Sequence, residues 1–574
     1  KFNNLRKKGF MKVLLLCTSY NGLTQRVHDE LLMLEYDVSI ELSISTKHMI
    51  EAVALFMPDL IICPFLKERI PSTIWENFKC IVIHPGIIGD RGASSLDWAI
   101  HEKQLHWGVT ALQASQDMDA GDIWSNFNFP MRESFKASIY RNEVTSAAVK
   151  ILHNVIENVK NTDFKPKALD YSDQETKGEL KPLMKQEIRS IDWEKDNTAT
   201  IINKINAADS YPGLLDTIYE EEYYLYGAHR EDELRGRIPG NIIARRNGAI
   251  CRTTIDGALW ISHLRKKEEN SFKLPATIAL KDKLKGIKEN RIELLYQGDI
   301  NTFKEIYYEQ KDEVGYLHFD FHNGAMSIEQ CVRLKYAYEL ACENDIKVIV
   351  LMGGHDFFSN GIHLNVMQES LKQAEDGWSN IHSMNDVVRA IINSFDILTV
   401  TSFGANAGAG GVMMGIASDY VIARNGVILN PHYKTLGLHG SEYWTYLLPK
   451  RVGEEKAKEI TDSCLPIGSI RSKHINLVDE VFSENRATYK LELDNFCQNL
   501  ALSDEFYDLL DEKIAKREKD EAVKPLETYR KEELKYMHES FYNENSEFNK
   551  KRKEFVLKVP LTKTPKRLAL HRKT

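Results

Sequence analysis

The sequence predicts a multidomain α/β protein, and three observations indicate this fold class. The chain has 574 residues, which exceeds what one hydrophobic core usually organises. In two separate parts of the chain, apolar runs of strand length alternate with helical stretches, which is the pattern of βα units around mainly parallel sheets. Between these parts, Asn-Gly and Asp-Gly pairs separate short strand-like runs, which favours tight hairpins. We therefore expect a doubly wound α/β domain, a small β domain and a second α/β domain with a helical tail.

The first α/β domain is predicted for residues 11–188. Its strands read KVLLLCT, DVSIEL, DLIICPF and CIVIHPG, with helical stretches between them. After Lys136, the 3.6-residue period of ASIYRNEVTSAAVKILHNVIENV predicts a helix that packs on the sheet. Residues 1–10 precede Met11 and are left out of this assignment as an extension.

Changes in pattern along the rest of the chain predict four further segments. The strands GYLHFDF, KVIVLMGG, ILTVTSFG and DYVIARNG indicate the second α/β domain, and charged helical sequence follows it. We expect the late helices to pack around that domain. The segments are a small β domain at 189–270, a linker with some helix at 271–310, the second α/β domain at 311–500, and a helical, basic C-terminal extension at 501–574.

Composition and charge exclude several classes of protein. The chain is 43% hydrophobic and 28% charged, as expected of a folded protein, and its net charge of −8 argues against coating nucleic acid. No apolar run approaches the roughly 18 residues of a membrane span, and no signal-peptide pattern opens the chain, so we expect a cytoplasmic protein that does not bind membranes. The eight cysteines form no C-x-x-C pair, which predicts reduced, mostly buried thiols and no metal site.

The segment from Lys550 to Thr574 is strongly basic against this acidic background. The favoured interpretation is a solvated tail. The alternative is a role in binding an anion, such as the phosphates of a nucleotide cofactor.

A first group of candidate functional residues lies in the N-terminal domain. His84 stands where a buried strand ends and a Pro/Gly loop begins, and ligands of open α/β sheets bind outside the carboxyl ends of the strands. Asp119 falls in a Gly turn joining two strands, after the run Gly108-Val109-Thr110. Taken alone, each residue has another interpretation: His84 as a structural histidine, and Asp119 as a turn-forming residue.

The motifs HPGIIGDRG, GVT and DAGDI resemble those of the formyltetrahydrofolate family, which includes methionyl-tRNA formyltransferase, glycinamide ribonucleotide formyltransferase and formyltetrahydrofolate dehydrogenase or deformylase. The family loop reads N-x-H-P-S-L-L-P-x-x-R-G. The resemblance covers roughly residues 11–170. The segment from Ile191, with AADSYPG and the hairpins, resembles the small OB-like C-terminal domain of methionyl-tRNA formyltransferase.

This resemblance implies formyl transfer from N10-formyltetrahydrofolate. His84 and Asp119 become catalytic candidates that stabilise an oxyanion and manage protons. The implied folate-binding residues are Arg91, Gly92 and Asp122. The sequence departs from the family at Val82, which stands in place of the family asparagine and has no hydrogen bond to donate. Either another group replaces the asparagine or the first step is slow.

A second group of candidates lies in the second α/β domain. The runs FSNGIHL, from Phe358, and GANAGAGG, from Gly404, each follow a strand, where Gly-rich turns let backbone N–H groups approach a ligand. They resemble the crotonase signatures F-x-A-G-x-D-L and N-G-x-x-x-G-G-G over about residues 311–480. This implies binding of coenzyme A or an acyl-CoA, with the N–H groups of Ile362 and Gly410 as an oxyanion hole. The implied CoA-binding residues are Ala325, Gly361 and Gly411.

The second domain departs from crotonases at their catalytic glutamates. Met413 and His432 occupy those positions, so ordinary alkene hydration is not expected. His432, Glu442 and Tyr443 are the candidates for proton transfer. A helix-start carboxylate at Glu442 and a packed aromatic ring at Tyr443 remain equally open.

The fusion of a formyl-folate module to a CoA module resembles the HypX family of [NiFe]-hydrogenase maturation factors. This resemblance implies that the chain transfers formyl to CoA and releases carbon monoxide from formyl-CoA, with no metal required, and that hydrogenase maturation proteins are its partners. Two alternatives remain open: a formyltetrahydrofolate hydrolase or transferase with a CoA-binding appendage, and a noncatalytic maturation scaffold. A tRNA formyltransferase is disfavoured, because the acidic charge suits a small thiol acceptor better.

Overall fold

The computed structural model describes residues 11–572, which form two compact units. The first unit consists of residues 11–190, 203–214 and 560–572, and the second of residues 191–202 and 215–559. The extension at residues 1–10 lies outside the described residues.

The first unit is built on a six-stranded sheet in the order β2-β1-β3-β4-β5-β6. The neighbouring pairs among β1 to β4 are parallel, and β5 and β6 are added antiparallel. The strands are β1 (Lys12–Cys17), β2 (Asp37–Leu42), β3 (Leu60–Cys63), β4 (Cys80–His84), β5 (His106–Gln113) and β6 (Ile123–Pro130). The helices are α1 (Gly22–Met33), α2 (Thr46–Phe56), α3 (Ser72–Trp75), α4 (Ser95–His101), α5 (Lys136–Ile139), α6 (Thr145–Lys160) and α7 (Gln186–Arg189).

The helix predicted after Lys136 is confirmed, with one difference. A π-helical turn over Tyr140–Val144 connects α5 to α6, so the helix is not a uniform α-helix. Ala148, Ile151 and Val155 of α6 are buried. Their spacing is the 3.6-residue period that predicted a face packed on the sheet.

The basic tail contributes to the first unit, so its interpretation as a solvated segment is wrong for residues 564–572. Ile40 N, on the edge strand β2, donates to Leu568 O at 3.1 Å, and Leu42 N donates to the Thr564 hydroxyl at 3.0 Å. Thr564, Leu568 and His571 are buried. An edge strand leaves unpaired N–H groups, and the tail satisfies two of them here.

A buried carboxylate holds the end of this tail. Glu41, on β2, is fully buried and accepts hydrogen bonds from the Thr564 hydroxyl at 2.7 Å and from Arg572 Nε at 2.9 Å. His571 Nε2 also lies 2.9 Å from Glu41 Oε2, and His571 Nδ1 is 2.6 Å from the Ser39 hydroxyl. One signal of this contact in the sequence was missed. Glu41 is an acidic residue in the largely apolar strand DVSIEL, and a buried charge requires a partner.

The second unit begins with the small β domain, whose sheet has the order β7-β8-β11-β10-β9, with β12 paired to β11. Asn247 and Gly248 form the predicted turn between β9 and β10, and both have positive φ. The elements are α8 (Thr198–Ala208), β7 (Leu214–Ile218), β8 (Glu221–Glu231), β9 (Ile242–Arg246), β10 (Ala249–Thr253), β11 (Ala258–Lys266), β12 (Leu274–Pro275) and α9 (Ala276–Leu280). Residues 203–208 of α8 and Leu214 of β7 belong to the first unit.

The second α/β domain contains a six-stranded sheet, β13-β14-β15-β17-β19-β22, and a four-stranded sheet, β16-β18-β20-β21. Its strands are β13 (Ile306–Lys311), β14 (Val314–Phe319), β15 (Val348–Gly353), β16 (Phe357–Ser359), β17 (Leu398–Phe403), β18 (Asn406–Gly408), β19 (Tyr420–Arg424), β20 (Ile428–Asn430), β21 (Ile467–Gly468) and β22 (Glu480–Phe482). Its helices are α10 (Ile328–Cys342), α11 (Leu364–Glu369), α12 (Gln373–Ile392), α13 (Gly410–Ile416), α14 (Trp444–Val452), α15 (Glu454–Ser463) and α16 (Ser469–His474).

Four late helices pack on this second α/β domain, as predicted. They are α17 (Arg486–Ala501), α18 (Phe506–Val523), α19 (Leu526–Tyr542) and α20 (Glu547–Val556). Leu534 and Phe541 of α19 and Phe548 of α20 belong to the main hydrophobic core of the domain. These helices are therefore part of the folded domain.

The cysteines are placed as predicted. All eight cysteines are free thiols, and every one except Cys342 is buried. Within residues 11–572, no helix has the length and apolar character needed to cross a membrane.

Candidate active sites

His84 is the last residue of β4, and two carboxylates flank its ring. Its Nε2 lies 2.7 Å from Asp90 Oδ2, and its Nδ1 lies 3.5 Å from Asp119 Oδ1. The imidazole and the Asp90 carboxylate are buried. The structure thus brings together the two residues predicted to be catalytic, His84 and Asp119, and places the carboxylate of Asp90 beside them.

The loop after β4 requires small residues to make this contact. A Cβ atom on Gly86 would lie 2.4 Å from His84 Nε2 and 2.3 Å from Asp90 Oδ2, so only glycine fits there. On the other side, Gly92 N donates to Asp119 Oδ2 at 3.3 Å. Arg91 Nε donates to Met118 O at 3.1 Å, so two of the predicted folate-binding residues lie against the Asp119 turn.

Asp122, the third predicted folate-binding residue, is placed differently. Its side chain is exposed, and its backbone carbonyl accepts a hydrogen bond from Gln113 N at 2.8 Å. That bond closes the turn between β5 and β6. The structure therefore gives Asp122 a turn-closing contact and does not join its side chain to the His84 group.

The charges around His84 favour its protonated form. Burial by itself lowers the pKa of an imidazole, but here the hydrogen bond that His84 donates to Asp90 and the negative charges of Asp119 and Asp90 outweigh burial. The pKa of His84 therefore lies above its ordinary value. An imidazole whose protonated form is favoured in this way suits stabilisation of a developing oxyanion.

Val82 lies two residues before His84 on β4, so the two side chains point to the same face of the sheet. It is half-buried and packs against the hydrophobic cluster that contains Cys80 and Ile61. Its side chain can donate no hydrogen bond. The departure from the family asparagine is therefore a change from a polar to a packed apolar side chain.

The second candidate site brings together the two predicted oxyanion-hole residues. Ile362 forms a bridge with Met326, in which Met326 N donates to Gly361 O at 2.9 Å and His363 N donates to Met326 O at 3.0 Å. These bonds use the neighbours of Ile362, so its own N–H points away from the bridge. Gly410 is the first residue of α13, where a backbone N–H has no acceptor within the helix.

The glycines of the two turns allow this close approach. Gly361 has φ +80°, and a Cβ on it would lie 3.4 Å from Gly410 N, so the two turns are neighbours. A Cβ on Gly411 would lie 2.1 Å from Ser359 O, which assigns Gly411 a packing role between the turns. Ala325, the other residue predicted to bind CoA, directly precedes Met326 in the bridge.

Glu442 lies beside the turn that carries Gly410, one of the two predicted oxyanion-hole residues. A Cβ on Gly410 would lie 2.4 Å from Glu442 Oε1. Glu442 is buried, and its Oε2 accepts from the Tyr433 hydroxyl at 2.8 Å and from Ser441 N at 3.2 Å. The other carboxylate oxygen therefore faces the turn that carries Gly410.

The backbone that presents Glu442 adopts an unusual conformation. Glu442 and Tyr443 have φ values of +61° and +58°, a region that side chains rarely adopt. Asn385 Oδ1, on α12, accepts from Glu442 N at 2.7 Å, and Glu533 Oε2, on α19, accepts from Tyr443 N at 3.0 Å. Two side chains from distant helices thus hold the turn.

Two buried carboxyl groups therefore lie together in this site. Burial raises the pKa of Glu442 to about 7, although the hydrogen bonds from Tyr433 and Ser441 oppose the rise. Burial raises the pKa of Glu533 to about 8, and the charge of Glu442 adds to the rise. Near neutral pH, Glu442 can both hold and release a proton, as a catalytic acid or base must.

The other predicted proton-transfer residues, His432 and Tyr443, are the chain neighbours of Tyr433 and Glu442. His432 Nδ1 donates to Asn430 O at 2.6 Å, and its Cε1 would lie 3.0 Å from a Cβ on Gly408. Tyr443 is fully buried, and its side chain lies near the guanidinium of Arg530 on α19. Met413, at the position of the hydratase glutamate, is buried in the hydrophobic core. Among residues 11–572, no three His, Cys, Asp or Glu side chains are grouped as ligands for a metal ion.

Sequence reasoning missed four of these polar residues. Asp90 had a signal, because an acidic residue in the loop GDRG follows His84 by six positions. Tyr433 also had one, since it adjoins His432. Asn385 and Glu533 lie in long helices without any motif, and only the tertiary fold brings them to Glu442.

Three family models match the chain in the same order as the predicted modules. Residues 28–156 match the formyl transferase family, residues 183–279 match the formyl transferase C-terminal domain, and residues 316–560 match the enoyl-CoA hydratase/isomerase family. These matches confirm the predicted fold class.

Individual relatives extend this comparison over the whole chain. The hydrogenase maturation factor HoxX of Bradyrhizobium diazoefficiens is 42% identical over 563 residues, which are 98% of this chain and 97% of the relative. A crystal structure of HypX from Aquifex aeolicus in complex with tetrahydrofolic acid is 42% identical, with a TM-score of 0.95 and coverage of 99% of both chains. The methionyl-tRNA formyltransferase of Bacillus velezensis is 25% identical over 228 residues, 39% of this chain and 70% of that relative.

Proposed function

Because the chain belongs to the HypX/HoxX family of hydrogenase maturation factors, we propose that it makes carbon monoxide in two coupled steps. It transfers the formyl group of N10-formyltetrahydrofolate to coenzyme A and then decarbonylates the formyl-CoA. The carbon monoxide supplies the ligand of the [NiFe] site, and hydrogenase maturation proteins are the proposed partners.

In the first step, the CoA thiol attacks the formyl carbon, a C–S bond forms and the C–N10 bond breaks. The thiol proton ends on N10, so tetrahydrofolate and formyl-CoA are the products. The protonated imidazole of His84, between Asp90 and Asp119, stabilises the negative charge on the formyl oxygen. The tetrahydrofolate complex of HypX from Aquifex aeolicus supports folate as the donor, with Arg91, Gly92 and Asp122 as the proposed contacts.

In the second step, the C–H and C–S bonds of the formyl group break and carbon monoxide leaves. The formyl proton passes to sulfur, so CoA is regenerated without an oxidant or a reductant. The N–H groups of Ile362 and Gly410 orient the carbonyl, and Glu442 moves the proton. His432 and Tyr443 remain candidates for the same transfer, and Ala325, Gly361 and Gly411 for contacts to CoA.

The observation that carries this proposal is the position of Glu442. The second domain has a crotonase-like pair of backbone turns, but Met413 replaces the hydratase glutamate, so the usual hydration chemistry has no base. A different buried carboxyl, with a pKa raised by burial to about 7, lies against the same turn at Gly410. A proton-transfer reaction on a thioester is consistent with this replacement.

The test is to incubate the purified protein with N10-formyltetrahydrofolate and coenzyme A. Carbon monoxide is detected by its binding to reduced haemoglobin, and formate is assayed in parallel. We expect carbon monoxide only when both substrates are present. Formate without carbon monoxide would indicate a deformylase with a CoA-binding appendage, and neither product would favour a noncatalytic scaffold.

A further inference from the structure

Glu533 accepts three hydrogen bonds from the start of α14, although it lies far along the chain on α19. Its Oε1 accepts from Thr445 N at 2.9 Å and from the Thr445 hydroxyl at 2.6 Å, and its Oε2 accepts from Tyr443 N at 3.0 Å. Tyr443 N belongs to the peptide bond that joins Glu442 to Tyr443. Glu533 is thus bonded to the backbone that carries Glu442.

The hydrogen bonds to Glu533 compensate for an unfavourable backbone conformation at Glu442 and Tyr443. Two successive residues with positive φ each cost about 1 kcal/mol or more, and the structure around them must supply that energy. The N–H groups at the start of α14 also lack acceptors within the helix. Glu533 satisfies two of these N–H groups, and it does so from within the core, since its side chain is almost fully buried.

We propose that Glu533 is a positioning residue of the second site, which holds the Glu442–Tyr443 turn and thereby directs the Glu442 carboxyl at Gly410. This inference rests on the proposed function, because it assigns Glu442 the proton transfer. A buried glutamate is a costly choice for this task, since an amide side chain also accepts hydrogen bonds. The carboxyl group therefore points to a second effect, which is its ability to bind and release a proton next to Glu442.

Glu442 and Glu533 hold their protons as a pair. Burial raises the pKa values of both, and two negative charges this close in a buried site disfavour each other, so the pair loses its protons in two separate steps. Of the other titratable groups here, Tyr433 hydrogen-bonds to Glu442, Cys331 on α10 feels the charge of Glu442, and Arg530 on α19 lies near Tyr443 and pairs with Asp386.

The experiment compares Glu533→Gln with Glu305→Gln in the full-length protein. Glu305 is also buried, and it pairs with Arg333 and Gln330 away from the Glu442 turn, so it controls for the loss of a buried carboxylate. We expect Glu533→Gln to lower kcat for carbon monoxide about a hundredfold with little change in the KM for CoA, because the displaced group acts on bound substrate. The control is expected to keep its kcat.

Two readouts do not depend on activity. A crystal structure of Glu533→Gln should show the Glu442 carboxyl displaced from Gly410. The Tm of the wild type should also fall between about pH 5 and about pH 8, because the unfolded chain releases these two protons at a lower pH than the folded protein does. Glu533→Gln should flatten that fall, because the variant lacks one of the two carboxyl groups that titrate in this range.

The outcomes separate the inference from the proposed function. An undisplaced Glu442 and an unchanged pH slope of Tm in Glu533→Gln would overturn the positioning role, whatever the activity. No carbon monoxide from the wild type would contradict the proposed function, while the structure and the pH slope would still decide the role of Glu533. If Glu533→Gln fails to fold, Thr445→Val removes only one donor hydroxyl and should lower kcat about tenfold.

Discussion

Nε2 of His84 lies 2.7 Å from Oδ2 of Asp90, and both side chains are almost completely removed from solvent. Gly86 lies in the loop between them, and a Cβ atom on it would clash with both side chains. Asp90 therefore fixes the ring of His84 and favours its protonated form.

Asp90→Asn should move the pH dependence of formyl transfer to lower pH. The substitution removes a negative charge that raises the pKa of His84, so the imidazole loses its proton at a lower pH. Because the protonated ring is the active form proposed here, the alkaline limb of the rate profile should shift to lower pH. The measurement is tetrahydrofolate release against pH. A shift upward would contradict the assigned role.

His84→Ala should abolish both tetrahydrofolate release and carbon monoxide formation. The loss is expected to be at least about a hundredfold, since it removes the cation that stabilises the oxyanion. His106→Ala is the matched control, because His106 starts β5 and is exposed. Carbon monoxide formed from added formyl-CoA should survive His84→Ala, and its loss there would show that the two sites are not separable.

Gly410→Ala should block decarbonylation without stopping formyl transfer. The new Cβ would lie 2.4 Å from Glu442 Oε1, so either the oxyanion turn or the carboxyl must move. Gly404→Ala is the control, since the nearest atom to its new Cβ, on Tyr489, would be 3.6 Å away. We expect formyl-CoA, or formate from its hydrolysis, to accumulate with Gly410→Ala alone. Equal carbon monoxide rates in the two variants would contradict the assignment.

Glu41→Ala should destabilise the first unit by about 3 kcal/mol or more, because it leaves the buried end of the tail without its carboxylate. Glu51→Ala is the control, since an ion pair between this exposed carboxylate and Arg572 is screened by solvent and should contribute little to stability. Urea unfolding followed through folate binding measures both. Equal midpoints would show that the buried cluster contributes no more than the exposed ion pair.

The Glu41 contribution should also depend on pH. Burial raises the pKa of this carboxyl, but hydrogen bonds from His571, Arg572 and Thr564 outweigh burial, so its pKa lies below the ordinary value of 4.5. A lowered pKa stabilises the fold above the unfolded value and loses that effect as the pH falls through the folded value. The stability difference between wild type and Glu41→Ala should therefore shrink in acid.

Local patterns in the sequence were sufficient to predict the fold class of the modules and to single out His84 and Asp119, which the fold brings together. His84 and Asp119 each sit at a strand end with a Gly-rich turn, and short-range geometry places such residues at one edge of a sheet. The resemblance to the HypX family, drawn from both sets of motifs, is confirmed by the whole-chain identity to HoxX.

Contacts between distant segments were not predictable in this way. Glu533 lies in a charged helix whose sequence has no feature that distinguishes one glutamate from the next, and its burial depends on how α19 packs. The prediction of a solvated basic tail was wrong for a related reason. Its basic composition indicated a solvated segment, but a few residues within it, such as Thr564 and His571, form hydrogen bonds with groups of β2.

The pairing of His571 with Ser39 joins residues 532 positions apart in the chain. During synthesis, β2 leaves the ribosome on the order of a minute before the segment that covers its edge exists, at typical rates of elongation. Until then the edge strand is unpaired and the charge of Glu41 lacks its partners. The edge of the first sheet is thus covered only after the crotonase-like domain has been made, so a chain truncated late in translation leaves β2 unpaired.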